Sequence, residues 1–216
     1  MKEPFLDHEV TQPTELRDFF EWHQGIKYFG FWAIEIKQQQ CLQQIKIAQQ
    51  HLAKKLHPHY LRQPHITVCA SGLLDEQHFT HHALQQQIEK LQASKLAAFP
   101  LKLSQGNSFS TAPYLAIRDP SNALMTLRKL LNSICIEQDA AEYVPHVTLG
   151  FYNQAYNTTD LATDIANLST LKTDFIVKEI VFAHYNTNEI QGRYQVLHRI
   201  ALNTSDETKT VQVNKF

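Results

Sequence analysis

The chain contains the run QPHITV at residues 63–68 and a close copy, VPHVTL, at residues 144–149. In both runs a proline is followed by a histidine, a β-branched residue, a threonine and an aliphatic residue. β-Branched residues favour strands, and side chains two positions apart in a strand lie on the same face. Each run therefore predicts a strand that presents one imidazole and one hydroxyl side by side.

His65 and Thr67 form the first such pair, and His146 and Thr148 form the second. Two facing pairs suit acid–base chemistry on a phosphodiester, because a neutral imidazole accepts a proton while a protonated one donates. The threonine hydroxyls would donate hydrogen bonds to the non-bridging phosphate oxygens. This chemistry needs no metal ion and no cofactor. A single His-x-Thr run is usually structural, but its repetition favours a functional site.

The repeat extends beyond the two short runs. A β-prone segment at 28–36 and a helical pattern at 38–56 precede the first run, and a strand at 113–118 and a helix at 121–136 precede the second. Two copies of a strand–helix–strand unit are too few for a stacked solenoid. We therefore predict two lobes related by a pseudo-two-fold axis, with the histidines in a cleft between them.

With HITV at 65–68 and HVTL at 146–149, the chain resembles the two-histidine (2H) phosphoesterase superfamily, which includes bacterial RNA 2′-5′ ligases and cyclic nucleotide phosphodiesterases. The resemblance implies an α+β fold in which antiparallel sheets line a central cleft and helices lie outside. It implies that His65 and His146 are catalytic and that Thr67 and Thr148 bind the substrate phosphate.

The same resemblance implies a role in RNA processing. The expected activity is hydrolysis of 2′,3′-cyclic phosphates, or the making and breaking of 2′-5′ RNA linkages. The expected partner is a nucleotide, or an RNA end that carries a cyclic phosphate or a 2′-5′ linkage. A non-catalytic nucleotide- or RNA-binding module on the same fold is the alternative.

The chain divides into an N-terminal extension at 1–25, one bilobal domain at 26–202 and a polar C-terminal tail at 203–216. Pattern and turn residues predict the remaining elements. These are a short helix at 14–22, motif strands at 64–70 and 145–152, a turn at 71–72, helices at 75–91 and 161–168, and strands at 97–104, 174–184 and 193–202, with a loop at 105–108.

The composition is that of a globular protein, with 43% hydrophobic and 19% charged residues in 216. The formal net charge of -1 provides no global field for nucleic acid, so any such contact must rest on a local patch. No apolar run is long enough to predict a membrane span or a signal peptide. The three cysteines lack CxxC spacing, which predicts a reduced, cytoplasmic setting. We expect a monomer.

Two side chains near the motifs are weaker candidates. Tyr152 shares the predicted face of His146 and is a candidate to stack on a base, although a tyrosine at the cleft rim explains it equally well. Arg62 lies three residues before His65 and is a candidate for a phosphate contact, although an exposed loop arginine is the more common case.

Other residues suggest different chemistry. His78, His81 and His82 have a spacing on a predicted helix that can bind a metal, which makes a histidine metalloenzyme a third hypothesis. No carboxylate or cysteine completes a distinctive metal motif there, so an exposed histidine-rich helix face is preferred. Cys69 lies on the predicted face of His65, and a nucleophilic role for it is the weakest of these hypotheses.

Overall fold

A computed structural model describes residues 5–136, 142–168 and 172–204. Two four-stranded sheets form its framework, and every pairing within them is antiparallel. The first sheet has the spatial order β2 (His65–Leu73), β1 (Tyr28–Glu35), β7 (Glu179–Asn186), β8 (Tyr194–Ala201). The second has the order β5 (His146–Thr148), β4 (Pro113–Arg118), β3 (Phe99–Ser108), β6 (Thr173–Val177). The predicted α+β class is confirmed.

Five α-helices occur within the described residues. They are α1 (Phe20–His23), α2 (Gln39–His51), α3 (His81–Ser94), α4 (Ala123–Asn132) and α5 (Thr158–Ala166), with short 3-10 turns at Phe5–Asp7 and Ala53–Lys55. None of the described helices is long and apolar enough to cross a membrane.

The predicted repeat corresponds to β1–α2–β2 in one lobe and β4–α4–β5 in the other. In each unit the motif strand pairs with the strand that precedes the helix. Glu35 lies opposite His65 in the first pair, and Ala116 lies opposite His146 in the second. The two histidines therefore occupy equivalent positions, which agrees with the predicted pseudo-two-fold relationship.

One apolar core runs through both lobes. Trp32 and Ile66 of the first sheet belong to it together with Leu115 of the second, and all are fully buried. Apolar side chains of α2 to α5 pack in the same core, and full burial of each aliphatic side chain contributes about 1.5–3 kcal/mol. A smaller buried cluster around Phe31 and Tyr194 lies apart from this core and next to His65. Helices α2 to α5 thus share the core on the side of the first sheet away from His65.

The helix predicted at 75–91 begins six residues later, at His81. The Asp75 carboxylate accepts hydrogen bonds from the backbone N–H groups of Gln77 and His78, at 3.0 and 2.7 Å, and this turn holds the chain out of the helix. The Thr80 hydroxyl then caps α3 by accepting from the Ala83 N–H at 3.1 Å.

Several predicted strand boundaries are also wrong. β2 continues through the predicted turn to Leu73, with Gly72 at φ +125° opposite Gly30. β3 continues through the loop predicted at 105–108 by means of a bulge. The strand predicted at 174–184 is two strands, of which β6 joins the second sheet and β7 the first. Periodicity alone does not indicate that a chain changes sheets.

Residues 9–14 of the N-terminal segment pack along the second lobe. Backbone N–H groups of Thr11, Gln12 and Thr14 donate to carbonyls of Tyr156, Ser110 and Tyr152, respectively, at 2.8, 2.8 and 3.0 Å. The same segment touches the short stretch that precedes β2, because the His57 Nε2 is 2.7 Å from the Thr14 carbonyl oxygen. The N-terminal segment therefore connects the second lobe to the stretch that leads into β2.

Candidate active site

Both motif histidines are anchored in the same way. The Nδ1 of His65 is 2.7 Å from the carbonyl oxygen of Gln63, and the Nδ1 of His146 is 2.6 Å from that of Val144. Since a carbonyl can only accept, Nδ1 must carry the proton in each ring. In the neutral state, Nε2 is therefore the basic nitrogen of both imidazoles.

The His65 ring is half-buried between Phe31 and Tyr194, with centroid distances of 5.3 and 5.1 Å. The pKa of His65 is lowered to about 4, chiefly by burial and in smaller part by the positive charges of Arg62 and His146. The hydrogen bond to the Gln63 carbonyl acts in the opposite direction but does not compensate. His65 is therefore neutral near pH 7. The two histidines are also close enough for the charge of His146 to lower the pKa of His65.

His146 has an equivalent aromatic surround in the second lobe. Its ring lies edge-on to Phe109, with 4.8 Å between centroids, and tilted against Tyr114 at 5.2 Å. Phe109 and Tyr114 also contact each other, with a centroid distance of 4.4 Å. Each histidine is thus held by one phenylalanine and one tyrosine.

Thr67 and Thr148 lie two residues after their histidines and are half-buried, like them. Because both are strand residues, each hydroxyl lies on the same face as the imidazole of its own lobe. Neither hydroxyl has a hydrogen bond to another described residue. Both are therefore available to donate to a bound anion.

Each motif strand is held by a helix of the other repeat. Arg128 of α4 donates from Nη1 to the carbonyl of Val68 at 2.6 Å, and Gln49 of α2 donates to the carbonyl of Leu149 at 3.0 Å. Val68 and Leu149 are the equivalent residues that directly follow the two threonines. Reciprocal contacts of this kind tie the two half-sites to each other.

Tyr143 adds another contact across the lobes. Its hydroxyl donates to the carbonyl of Thr67 at 2.9 Å, and the Arg128 guanidinium carbon lies 4.0 Å from the centroid of its ring. The Arg128 charge therefore stacks on the tyrosine while its Nη1 holds the motif strand. This arrangement fixes the position of the first half-site relative to the segment that leads into the second.

Arg62 is held rigidly and is not the exposed loop residue that we considered more common. Its guanidinium carbon lies 4.1 Å from the centroid of the Tyr185 ring, and the side chain is half-buried. Nε donates to the Gly192 carbonyl at 3.1 Å, and Nη2 donates to the Glu189 carbonyl at 3.3 Å. Its charge acts on His65, so Arg62 contributes a fixed positive charge to the first half-site.

A family model for the 2′-5′ RNA ligase superfamily matches residues 34–189, which is more than half of the chain and contains both His-x-Thr motifs. The chain belongs to the 2′-5′ RNA ligase superfamily. The predicted resemblance to two-histidine phosphoesterases is thereby confirmed. A search of curated protein sequences found no match.

Solved structures from this superfamily share the fold. Apo LigT from E. coli is 17% identical with a TM-score of 0.54, and the match covers 83% of this chain and 99% of LigT. LigT with 3′-AMP is 17% identical with a TM-score of 0.52, covering 82% and 99%. TT0787 of Thermus thermophilus is 12% identical with a TM-score of 0.57, also covering 82% and 99%. At these identities the likeness establishes the fold alone.

Tyr152 does not have the exposed position that base stacking requires. Its side chain is fully buried, and its hydroxyl is 2.6 Å from that of Ser108. The strand alternation that led to the prediction ends with β5 at Thr148, and Gly150 then adopts φ +153°. In this member of the superfamily, Tyr152 is a core residue.

Cys69 also lies on the opposite face from the predicted one. Trp32 pairs with Cys69 and Ala33 pairs with Thr67, so Val68 is an extra residue that forms a bulge. The bulge turns Cys69 into the core, where its thiol is 3.2 Å from the Asn132 side-chain oxygen. Its position does not favour a nucleophilic role.

The three histidines considered for a metal do not share one helix face. His78 precedes α3 and contacts the Asp75 carboxylate through Nδ1 at 2.9 Å, whereas His81 and His82 begin the helix. In the parts of the chain that the structure describes, no group of three or more His, Cys, Asp or Glu residues could hold a metal ion.

Three aromatic residues that contact the histidines, Phe109, Tyr114 and Tyr194, are absent from the sequence-based candidates. Tyr114 could have been predicted from the sequence, because it lies on the repeated strand two residues from Ala116, the partner of His146, and therefore on the same face. Phe109 and Tyr194 could not have been predicted in this way, because they lie on a loop and on a strand that are distant in sequence from the histidines they contact. In this protein, only the three-dimensional structure identifies the positions of Phe109 and Tyr194.

Proposed function

We propose that the protein is a metal-independent phosphoesterase that hydrolyses 2′,3′-cyclic phosphates or makes and breaks 2′-5′ RNA linkages by two-histidine acid–base catalysis. Membership of the 2′-5′ RNA ligase superfamily supports phosphoesterase activity in general. The observation that carries the specific proposal is the identical anchoring of His65 and His146, each with Nδ1 bound to the carbonyl two residues earlier. Such anchoring makes Nε2 the basic nitrogen of each imidazole, and we propose that both exchange protons with one shared substrate.

In the hydrolytic direction, His65 is the base. Its Nε2 accepts a proton from water as the water oxygen bonds to phosphorus, and its low pKa keeps that nitrogen unprotonated near neutral pH. His146 is the acid, and its Nε2–H transfers a proton to the ribose oxygen as the phosphorus–oxygen bond breaks. The product is a nucleoside monophosphate. The step leaves His65 protonated and His146 neutral, so His65 loses its proton and His146 regains one before the next cycle.

The threonines and Arg62 stabilise the charge on the phosphate. Thr67 and Thr148 donate to non-bridging oxygens from opposite lobes, which is where charge is redistributed in the transition state. Arg62 supplies a positive charge on the His65 side, held on Tyr185 and by two backbone carbonyls. A fixed guanidinium of this kind needs little reorganisation when the anion binds.

A nucleotide is the substrate class that we propose. LigT, which has the same fold, has been solved with 3′-AMP, with ATP, with NADP+ and with phosphate. Those complexes belong to LigT, and they support our proposal because LigT is one protein of this fold that binds nucleotides. We further propose that this protein acts as a monomer in the cytoplasm.

The decisive experiment measures hydrolysis of adenosine 2′,3′-cyclic phosphate by His65→Ala and His146→Ala. We expect each variant to lose about 10²- to 10⁴-fold in kcat, because each removes one proton-transfer group. His82→Ala, which changes an exposed histidine at the start of α3, is the matched control and retains full activity. Full activity in either motif variant would rule out the two-histidine mechanism.

The same assay distinguishes the alternative functions. A non-catalytic binding module would bind the cyclic nucleotide in a titration but release it unchanged. A histidine metalloenzyme would lose activity in the presence of a chelator such as EDTA. We expect turnover that EDTA leaves unchanged.

A further inference from the structure

A cavity of about 720 Å³ lies in the second lobe beside His146. Its walls come from the N-terminal segment, the connection between β3 and β4, helix α5 and the residues just before β5. Phe109 and Tyr114 line it, and both also contact the His146 ring. Its volume lies within the range of about 300–1,000 Å³ that is typical of small-molecule sites.

The lining is aromatic and mostly uncharged. Phe5, Phe109 and Tyr114 provide rings, while Gln12 and Asn107 are among its uncharged polar side chains. Among the described residues that line the cavity, none is a lysine or an arginine, and only His8 and Glu142 are ionisable apart from the tyrosine. Such walls are unsuited to a phosphate but match a neutral heterocycle that stacks on rings and forms hydrogen bonds at its edges.

The N-terminal segment both closes this cavity and holds the loop that bears Phe109. Gln12 lines the cavity, and its backbone N–H donates to the Ser110 carbonyl at 2.8 Å. Phe5 and His8 lie in the same wall. These residues precede residues 34–189, the part of the chain that the superfamily model matches.

We propose that this cavity binds the nucleobase of the nucleotide whose phosphate lies between the two histidines, with the N-terminal segment forming part of the base-binding wall. Because Phe109 contacts both the cavity and His146, a base stacked there is next to the reacting phosphate. The proposal rests on the proposed function for the placement of the phosphate. Binding of the base itself is testable without any activity.

The first test is calorimetric binding of adenosine, a nucleoside without phosphate. Ala162 is half-buried on the α5 wall, and Ala162→Trp fills the cavity with an indole. Thr163→Trp adds the same ring at the next position of the helix, which is exposed and does not line the cavity. We expect adenosine to bind the wild type and Thr163→Trp equally, and Ala162→Trp about tenfold more weakly, since the loss of one stacked base lowers affinity by about 5- to 150-fold.

Circular dichroism and thermal unfolding verify that the variants are folded. If Ala162→Trp does not fold, the smaller Ala162→Leu decides the question by the same titration. Failure of the wild type to bind adenosine, or equal binding by the cavity-filling variant, overturns the proposal.

The second test compares turnover of adenosine 2′,3′-cyclic phosphate with that of glycerol 1,2-cyclic phosphate, which has the reactive ring but no base. We expect Ala162→Trp to raise KM about tenfold for the nucleotide only. An equal loss on both substrates overturns the proposal, because it shows disturbance of His146 and not loss of a base site. Adenosine binding with no turnover of either compound by the wild type refutes the proposed function and leaves the base site standing.

Discussion

Protonation of His65 should destabilise the folded protein. The pKa of this imidazole falls from an ordinary value of 6.5 to about 4, chiefly because burial removes the charged form from water. The unfolded chain therefore binds a proton at this site at a higher pH than the folded chain does. The contribution of the neutral His65 imidazole to the free energy of unfolding is therefore fully present above pH 6.5, and it is lost as the pH falls toward 4.

The size of this effect follows from the two pKa values. Proton linkage gives a loss of about 2 kcal/mol between pH 7 and pH 5, and of about 3 kcal/mol by pH 4. Other groups also titrate in this range, so the variant His65→Asn is needed to isolate the contribution. The free energy of unfolding should fall about 2 kcal/mol less in His65→Asn than in the wild type between pH 7 and pH 5.

Urea denaturation at pH 5, 6 and 7 measures this difference, and NMR of the imidazole protons measures the pKa directly. His82→Asn, at an exposed position, controls for the loss of a histidine and should follow the wild type. An imidazole of His65 that titrates near pH 6.5, or equal pH dependence in His65→Asn and the wild type, would refute the reasoning. If His65 is the base, the acid limb of kcat/KM should also lie below pH 5.

Three further predictions concern the groups around the histidines. Thr67→Val and Thr148→Val should each lower kcat on a 2′,3′-cyclic nucleotide by about 10²-fold, since each removes one donor to the phosphate; unchanged kcat in both would exclude that role. Arg62→Gln should weaken phosphate binding measured by calorimetry and raise the pKa of His65 measured by NMR, because a nearby positive charge is lost; no change in either contradicts the assignment. Gln87→Leu should lower the free energy of unfolding, measured in urea, by about 1–3 kcal/mol and leave kcat/KM unchanged. The reason is that the buried Trp32 Nε1–H, which is 2.7 Å from the Gln87 oxygen, loses its acceptor. A stability equal to that of the wild type would refute this.

Local sequence accounts for much of the architecture. The strand–helix–strand repeat follows from apolar periodicity, and β1 matches its prediction over Tyr28–Glu35. Helix α4 is shorter than predicted, and the carboxylate of Asp119, just before it, accepts from the Leu124 N–H at 2.7 Å. These features depend on residues close together in the chain, which is why pattern analysis finds them.

Errors occur where contacts between distant residues override the local pattern. The bulge at Val68, whose carbonyl accepts from Arg128 of the other repeat, turns Cys69 into the core. Tyr152 is buried because its hydroxyl meets Ser108, from the far end of the second sheet's β3. Alternation along a strand predicts faces correctly only where the strand is regular, and neither segment is regular.

The sequence by itself determined that the protein has two equivalent half-sites, because the His-x-Thr pair and its flanking strand and helix occur twice. Only the tertiary structure decided how those half-sites differ. His65 is held by Phe31, Tyr194 and the charge of Arg62, whereas His146 lies beside Phe109 and a cavity partly closed by the N-terminal segment. A motif specifies which groups are present, but burial and neighbouring charges set the pKa of each imidazole, and those come from residues that only folding brings together.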